Sequence, residues 1–252
     1  MKALHFAKPL EYRLDIPQDD ARQGDLLRGT VTVVNRDTQP RTDLRLELGL
    51  AYGNFKKVKD KGVEAMEFLE RHLLTPEFAL APGEQRSAGW ELPLRMDGPI
   101  TTKDGGPFLI YGGNLDDPGA RGVIDLRVDV APAVAAFIAT LETRFAFEER
   151  TRGYGDGFTT VKLKPPSTYP TLAEFYVSLR IGEEGLQLRF RCKLKRFGRG
   201  AKAGLGSRQE VIERTFHSRE YQLGNGQPNR ELYRKAIQEA LSEVLPSGLL
   251  PT

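Results

Sequence analysis

The sequence predicts a mainly β protein made of two tandem β-sandwiches, with a short helix at their junction and a C-terminal helix. Three observations carry this. Apolar residues recur at every second position in many short runs. Turn-forming residues separate the runs. The period lengthens to three or four in two places, near residues 131–143 and 229–245. Successive strand side chains point to opposite faces, so a period of two gives one core face and one wet face.

The first half holds clear examples. Leu27, Gly29, Val31 and Val33 alternate with Arg28, Thr30 and Thr32. Leu44, Leu46, Leu48 and Leu50 alternate with Asp43, Arg45 and Glu47. Ile124, Leu126, Val128 and Val130 alternate with Asp125, Arg127 and Asp129. Turns are expected at Gln23-Gly24-Asp25, Asn35-Arg36-Asp37, Pro82-Gly83-Glu84, Asp97-Gly98-Pro99 and Asp104-Gly105-Gly106. Many one-sided strands with short turns favour two sheets that bury their apolar faces against each other. Gly53–Lys61 reads as a Lys-rich loop, and Val63–Leu74 is open between helix and strand.

Pro132 can open a helix, and Val134, Phe137, Ile138 and Leu141 then fall at helical spacing. The period returns to two at Phe145 and Phe147, at Val161 and Leu163, and at Phe175, Val177, Leu179 and Ile181. The clearest run has Leu186, Leu188, Phe190, Cys192 and Leu194 alternating with Gln187, Arg189, Arg191, Lys193 and Lys195. A last helix is expected from about Asn229, as N-cap, to Leu245 before Pro246, with Leu232, Ala236, Ile237, Leu241 and Val244 on its apolar side. A length of 252 residues suits two domains of about 100–130 residues. The expected divisions are a first sandwich over 1–131, a second with the junction helix over 132–208, and a C-terminal extension over 209–252.

Several stretches carry a family resemblance. A Gly-acidic turn feeds a strand in QGDLLRGTVTVV, and a P-G-E turn precedes an apolar-proline strand in LAPGEQRSAGWELPL. Then come RGVIDLRVDVAP, the junction helix PAVAAFIATLETRFAFEE, and the strands LAEFYVSLR and LQLRFRCKL. In this order they resemble the sporulation-control family, whose fold is arrestin-like. The resemblance spans residues 11–206, about four fifths of the chain. The sequence differs in its Lys-rich 53–61 stretch, in Gln23 where proline would stand, and in its terminal helix. The resemblance implies two immunoglobulin-like sandwiches, a bacterial regulatory or scaffolding role, and no catalytic residues.

Chemistry-bearing residues are sparse. His5, His72 and His217 lack the spacing of metal ligands, and each reads as structural. Asp116-Asp117 before Pro118-Gly119 reads as a turn, as does Gly153–Gly157. The glycine-rich stretch Gly198–Gly206 lacks the Lys-Ser/Thr pair of a phosphate loop, because Ala203 follows Lys202. Cys192, the one cysteine, falls on the apolar side of its strand and reads as a core residue. No cofactor, metal or catalytic residue is expected, and the chain is expected not to be an enzyme. A β-sandwich enzyme or carbohydrate module would want aromatic-lined pockets, yet the chain has one tryptophan, Trp90, alternating with Leu92 and Leu94.

The surface feature that stands out is charge. The formal net charge is +3, yet residues 180–219 hold eleven Lys or Arg against four Glu. Arg189, Arg191, Lys193 and Lys195 share one strand face at spacings of about 6.6–7 Å, and Arg196, Arg199 and Lys202 extend the stripe. These seven residues are the candidate partner site. The stripe could equally be a solvated face that protects a sheet edge. The expected partners are other proteins, with a homodimer and peripheral membrane contact as further options. The competing function is binding of nucleic acid or an anionic membrane surface through 189–202. Nucleic acid is disfavoured, because Phe190 points away from the cations and base stacking needs exposed rings. The junction helix reads as core, and the C-terminal helix is the better interaction candidate. One cysteine, no signal-peptide pattern in the first fifteen residues and no long apolar segment lead to an expected cytoplasmic location.

Overall fold

A computed structural model describes residues 1–195 and 207–245. The chain is mainly β and divides into two compact units, Met1–Asp129 and Val130–Thr252.

The strands of the first unit are β1 (Lys2–Ala7), β2 (Leu10–Asp15), β3 (Ala21–Arg22), β4 (Leu26–Asn35), β5 (Arg41–Asn54), β6 (Met66–Leu80), β7 (Gln85–Pro93), β8 (Gly105–Gly112), β9 (Arg121–Asp125) and β10 (Val128–Asp129). They form two four-stranded sheets, in the orders β1-β2-β4-β7 and β6-β5-β8-β9, plus the short pair β10-β3. The two larger sheets are antiparallel throughout. Leu27, Val31 and Val33 of β4 and Leu92 of β7 join Leu46 and Leu48 of β5 and Leu109 of β8 in one buried cluster. The period-two runs thus meet from two sheets. Gly29 sits on the core side of β4 opposite Trp90. A Cβ there would lie 2.4 Å from the indole ring, so only glycine leaves room for that ring.

Buried polar groups in this unit are tied down, as the cost of desolvation demands. Asn35 is fully buried. Its amide nitrogen donates to the carbonyls of Gln39, Leu80 and Ala81, and its oxygen accepts from the Asp37 amide. The expected turn at 35–37 is therefore closed by a side chain. Glu11, also buried, accepts from Arg36 at 2.9 Å and from Arg13.

Two expectations for residues 53–74 are settled. The Lys-rich stretch is the helix α1 (Phe55–Lys61), not a loop. Asn54 caps it by accepting from the Lys57 amide at 3.1 Å, and Phe55 sets its edge on Phe108 with ring centroids 5.8 Å apart. The cap and the ring outweigh the repulsion of four lysines, each a good helix former. The open segment is a 3-10 turn over Gly62–Ala65 and then strand β6.

The second unit runs through α2 (Pro132–Phe145), β11 (Glu148–Gly155), β12 (Phe158–Lys164), β13 (Leu172–Gly182), β14 (Gly185–Lys195), β15 (Ser207–Phe216), α3 (Ser218–Tyr221) and α4 (Arg230–Val244). The five strands pair antiparallel in chain order. Asp156 and Gly157, both at positive φ, make the β11–β12 turn expected around Gly153–Gly157. One side of this sheet is apolar. Val161, Phe175, Val177, Phe190 and Cys192 are each fully buried. Helices cover it: the Phe137 ring of α2 lies 6.1 Å from Phe190 and 5.3 Å from Tyr233 of α4. A second sandwich was expected here. Among the described residues this unit instead has a single sheet, because two helices supply the apolar layer that a second sheet would have given. Both helices start where the sequence places them, α2 with proline in its first turn and α4 with Asn229 accepting from the Leu232 amide at 3.2 Å.

Two outcomes follow. Phe137→Ala removes the ring shared by α2, α4 and the sheet. It is expected to destabilise the protein by about 3–5 kcal/mol in denaturant unfolding. Arg36, with Arg13, holds the Glu11 carboxyl below its ordinary value of 4.5. The stability it contributes is present above the unfolded-state value and is lost as pH falls through the lower folded-state value. Glu11→Gln should therefore destabilise at pH 7. Its deficit against the unsubstituted protein should begin to shrink as the pH falls below the unfolded-state value of about 4.3 and close only below the lower folded-state value, as read by urea unfolding at stepped pH.

Candidate functional site

The candidate site is the outer face of the five-stranded sheet. On β14 the alternation sends Phe190 and Cys192 inward and Arg189, Arg191, Lys193 and Lys195 outward, as the sequence predicts. Arg196, Arg199 and Lys202 lie outside the described residues.

Register decides what surrounds the four described cations. Ser178 of β13 stands beside Arg189, Tyr176 beside Arg191 and Glu174 beside Lys193. On the other flank, β15 sets Glu213 beside Arg189, Val211 beside Arg191 and Gln209 beside Lys193. Strand β12 adds Thr160 beside Ser178 and Lys162 beside Tyr176. The face is therefore a mixed one. Arg189 is paired to Glu213 at 2.6 Å. Lys193 lies 3.6 Å from Glu174, and Lys195 donates to the Pro170 carbonyl at 3.0 Å. Arg191 has no carboxylate partner among the described residues.

Two half-buried rings sit among these charges. The Arg191 guanidinium lies 4.2 Å from the Tyr176 centroid, and the Lys162 ammonium approaches the same ring at 5.4 Å. Arg180 and Arg189 flank Phe158 at 4.6 and 5.1 Å. Such contacts hold cations in place while leaving their charge intact. Phe158, Arg189, Glu213 and Thr215 also border a shallow concavity of about 200 Å³. Glu174 is the hub of the acidic side. It accepts from Lys162 at 2.7 Å and from the Tyr176 hydroxyl at 3.0 Å. Lys162 first and Tyr176 second hold its carboxyl below the usual range, and Glu174 in turn raises the Lys162 ammonium. Cations outnumber carboxylates on the face, and an exposed valine, Val211, lies among them. The face can hold an anionic surface with some apolar character.

Sequence reading found the stripe on β14 but missed Phe158, Tyr176, Arg180, Lys162, Glu174 and Glu213. Their outward positions were legible from the alternation on β12 and β13. Their adjacency to β14 was not, because it depends on pairing register.

The other candidates are core or local structure. The C-terminal helix was preferred to the junction helix as an interaction element. The structure corrects this: Tyr233, Ala236, Ile237, Ala240 and Leu241 are all buried, because the apolar stripe is used against the sheet and α2. The junction helix is core, with Phe137 and Leu141 fully buried. Burial first, and Glu210 second, push the Cys192 thiol up to about 12, so it is no nucleophile at neutral pH. Trp90 is buried with Leu92 and Leu94. His5 meets the Gly119 carbonyl at 3.1 Å, His72 meets Glu70 at 3.2 Å, and His217 caps α3. Asp117 closes its own turn by accepting from the Gly119 amide, and Asp116 pairs with Arg71 at 2.8 Å. Among the described residues no group of three or more His, Cys, Asp or Glu is arranged to hold a metal, and no helix is long and apolar enough to cross a membrane.

Fold and site together define a mainly β protein with a two-sheet unit, a sheet-and-helix unit and a charged outer face on the second unit's sheet. No family model matches the sequence, and no curated protein sequence does. Among solved structures, the sporulation control protein Spo0M from Bacillus subtilis matches over 93% of this chain and 98% of its own, with a TM-score of 0.65 and 16% identity. The chain therefore shares the arrestin-like fold of Spo0M, as the sequence motifs indicate. At this identity the likeness is one of fold. A β-glucosidase from Listeria innocua (TM-score 0.30, 13% identity, 49% of this chain and 17% of the other) and the DNA glycosylase AlkC from Pseudomonas fluorescens (0.30, 14%, 47% and 30%) match only in part.

The hub role of Glu174 has a measurable consequence. Glu174→Gln should release Lys162 and Lys193 and lengthen retention on a heparin column at pH 7.5. The shift should exceed that of Glu77→Gln, which removes an exposed carboxylate from β6. Equal retention of the two variants would mean that only net charge matters.

Proposed function

We propose that this chain is a non-catalytic regulatory or adaptor protein that binds an acidic protein surface on the outer face of its five-stranded sheet. The observation that carries the reading is the face itself: cations fixed over Phe158 and Tyr176, partly balanced by Glu174 and Glu213, with Val211 exposed between them. Aromatic and Arg side chains are the residue types that concentrate binding energy in protein interfaces. The likeness to Spo0M, a sporulation control protein, supports a regulatory role by fold-level analogy. A cytoplasmic setting suits a chain whose one cysteine is buried and unpaired.

Binding of single-stranded nucleic acid or an anionic membrane is the second reading. It gains from the rings, since alternating cations and aromatics serve as stacking platforms. Phe158 and Tyr176 are half-buried, however, and guanidinium or ammonium groups already occupy their faces. Those faces are not free for bases, which favours a protein partner.

The test places a photo-crosslinking amino acid at Val211 in the cells that make the protein. A discrete protein adduct is expected, and it should be lost when Arg189, Arg191 and Lys193 are changed to Gln. Adducts to RNA or lipid, or a protein adduct indifferent to the triple change, would overturn the reading. Binding of the identified partner should also weaken steeply with salt, because exposed charges are screened over about 8 Å at physiological ionic strength.

A further inference from the structure

A second charged site lies in the same unit, where the C-terminal end of α2 meets the N-terminal end of α4. Thr140, Thr143, Arg144, Arg230, Glu231 and Arg234 line a cavity of about 400 Å³. Its lining holds three arginines and one carboxylate, Glu231. Glu231 takes Arg234, which donates to it through Nε at 3.1 Å and through Nη2 at 2.5 Å. Arg234 also donates to Gln238 at 3.1 Å. The guanidiniums of Arg144 and Arg230 make no hydrogen bond or ion pair among the described residues. Both threonine hydroxyls are committed, Thr140 to the Ala136 carbonyl at 2.8 Å and Thr143 to the Ala139 carbonyl at 2.7 Å.

The balance of the cavity is thus two unpaired guanidiniums beside one satisfied ion pair. Like charges in a shared hollow repel unless an anion lies between them. The cavity also opens on the first turn of a fifteen-residue helix, whose dipole favours negative charge. Arg144 sits in the last turn of α2, where it complements that helix's opposite pole, and, after Arg234, its charge helps hold the Glu231 carboxyl below the usual range. Planar guanidiniums match phosphate oxygens two at a time.

We propose that this cavity binds the phosphate group of a phosphomonoester as a dianion, held between Arg144 and Arg230 with Arg234 fixed behind them by Glu231. The site stands on its own lining, independent of the outer sheet face. Bare phosphate and a phosphorylated protein side chain share this chemistry.

The test follows the Arg Nε–H resonances of the full-length protein by NMR while inorganic phosphate is added at constant ionic strength against chloride. Saturable shifts of Arg144 and Arg230 are expected. Binding should weaken at least tenfold in Arg144→Gln/Arg230→Gln. Both positions are exposed, so the double variant should unfold at the temperature of the parent. Affinity for a phosphoserine peptide should rise between pH 5.5 and 7.5 as its phosphate loses the second proton, at a pKa of about 6. A phosphoserine hexapeptide run in parallel separates the sources: a stronger response than to free phosphate assigns a protein-borne group, and an equal response assigns the bare anion. Shifts no larger than those with chloride, or binding unchanged in the double variant, would overturn the proposal.

Discussion

Phe137 is the residue on which the second unit depends. Its ring touches Phe190 on β14 and Tyr233 on α4, and Phe190 lies 5.9 Å from Phe175 on β13. Tilted aromatic contacts of this kind bury large apolar areas in a fixed geometry. They bind two helices and the centre of the sheet into one layer. Tyr233 adds direction, because its buried hydroxyl donates to the Tyr221 carbonyl at 2.9 Å and so links α4 to α3. With one side of the sheet sealed in this way, the period of two leaves every second side chain of β12 to β15 facing out. The charged face is thus a consequence of how the core is closed.

The outer face and the α2–α4 cavity distribute charge differently. On the sheet, cations are placed beside rings and carboxylates by strand pairing, so most of them have partners. In the cavity, the one carboxylate pairs with Arg234, and Arg144 and Arg230 make no ion pair among the described residues. The first arrangement suits a broad surface that meets another surface. The second suits a small, compact anion. Both stand on rigid elements, which keeps the geometry of exposed side chains narrower than it would be on loops.

In the first unit the constraint is satisfied by two sheets instead. Leu27, Val31 and Leu92 from one meet Leu46, Leu48 and Leu109 from the other. At Gly29 this packing leaves no room, since the Trp90 ring occupies the space a side chain would need. The buried polar groups, Asn35 and Glu11, are satisfied by partners distant in sequence. Such partners are set by the folded chain and not by local pattern.

The sequence by itself determined the strand runs, the two helix starts and the division of β14 into an apolar and a basic side. Each of these is local: strand period, helix period and capping act over a few residues. It also indicated the arrestin-like resemblance, through the order of motifs along the chain. Only the tertiary structure decided that the second unit closes its sheet with helices, because Tyr233 and Phe137 meet across 96 residues. Only strand register placed Phe158, Tyr176 and Glu174 among the cations of β14. The helical state of Phe55–Lys61 likewise rested on a tertiary anchor, the Phe55–Phe108 contact, which a Lys-rich stretch does not advertise. The gathering of Arg144 with Arg230 and Arg234 depended on the packing of two helices far apart in the chain, and no local spacing encodes that.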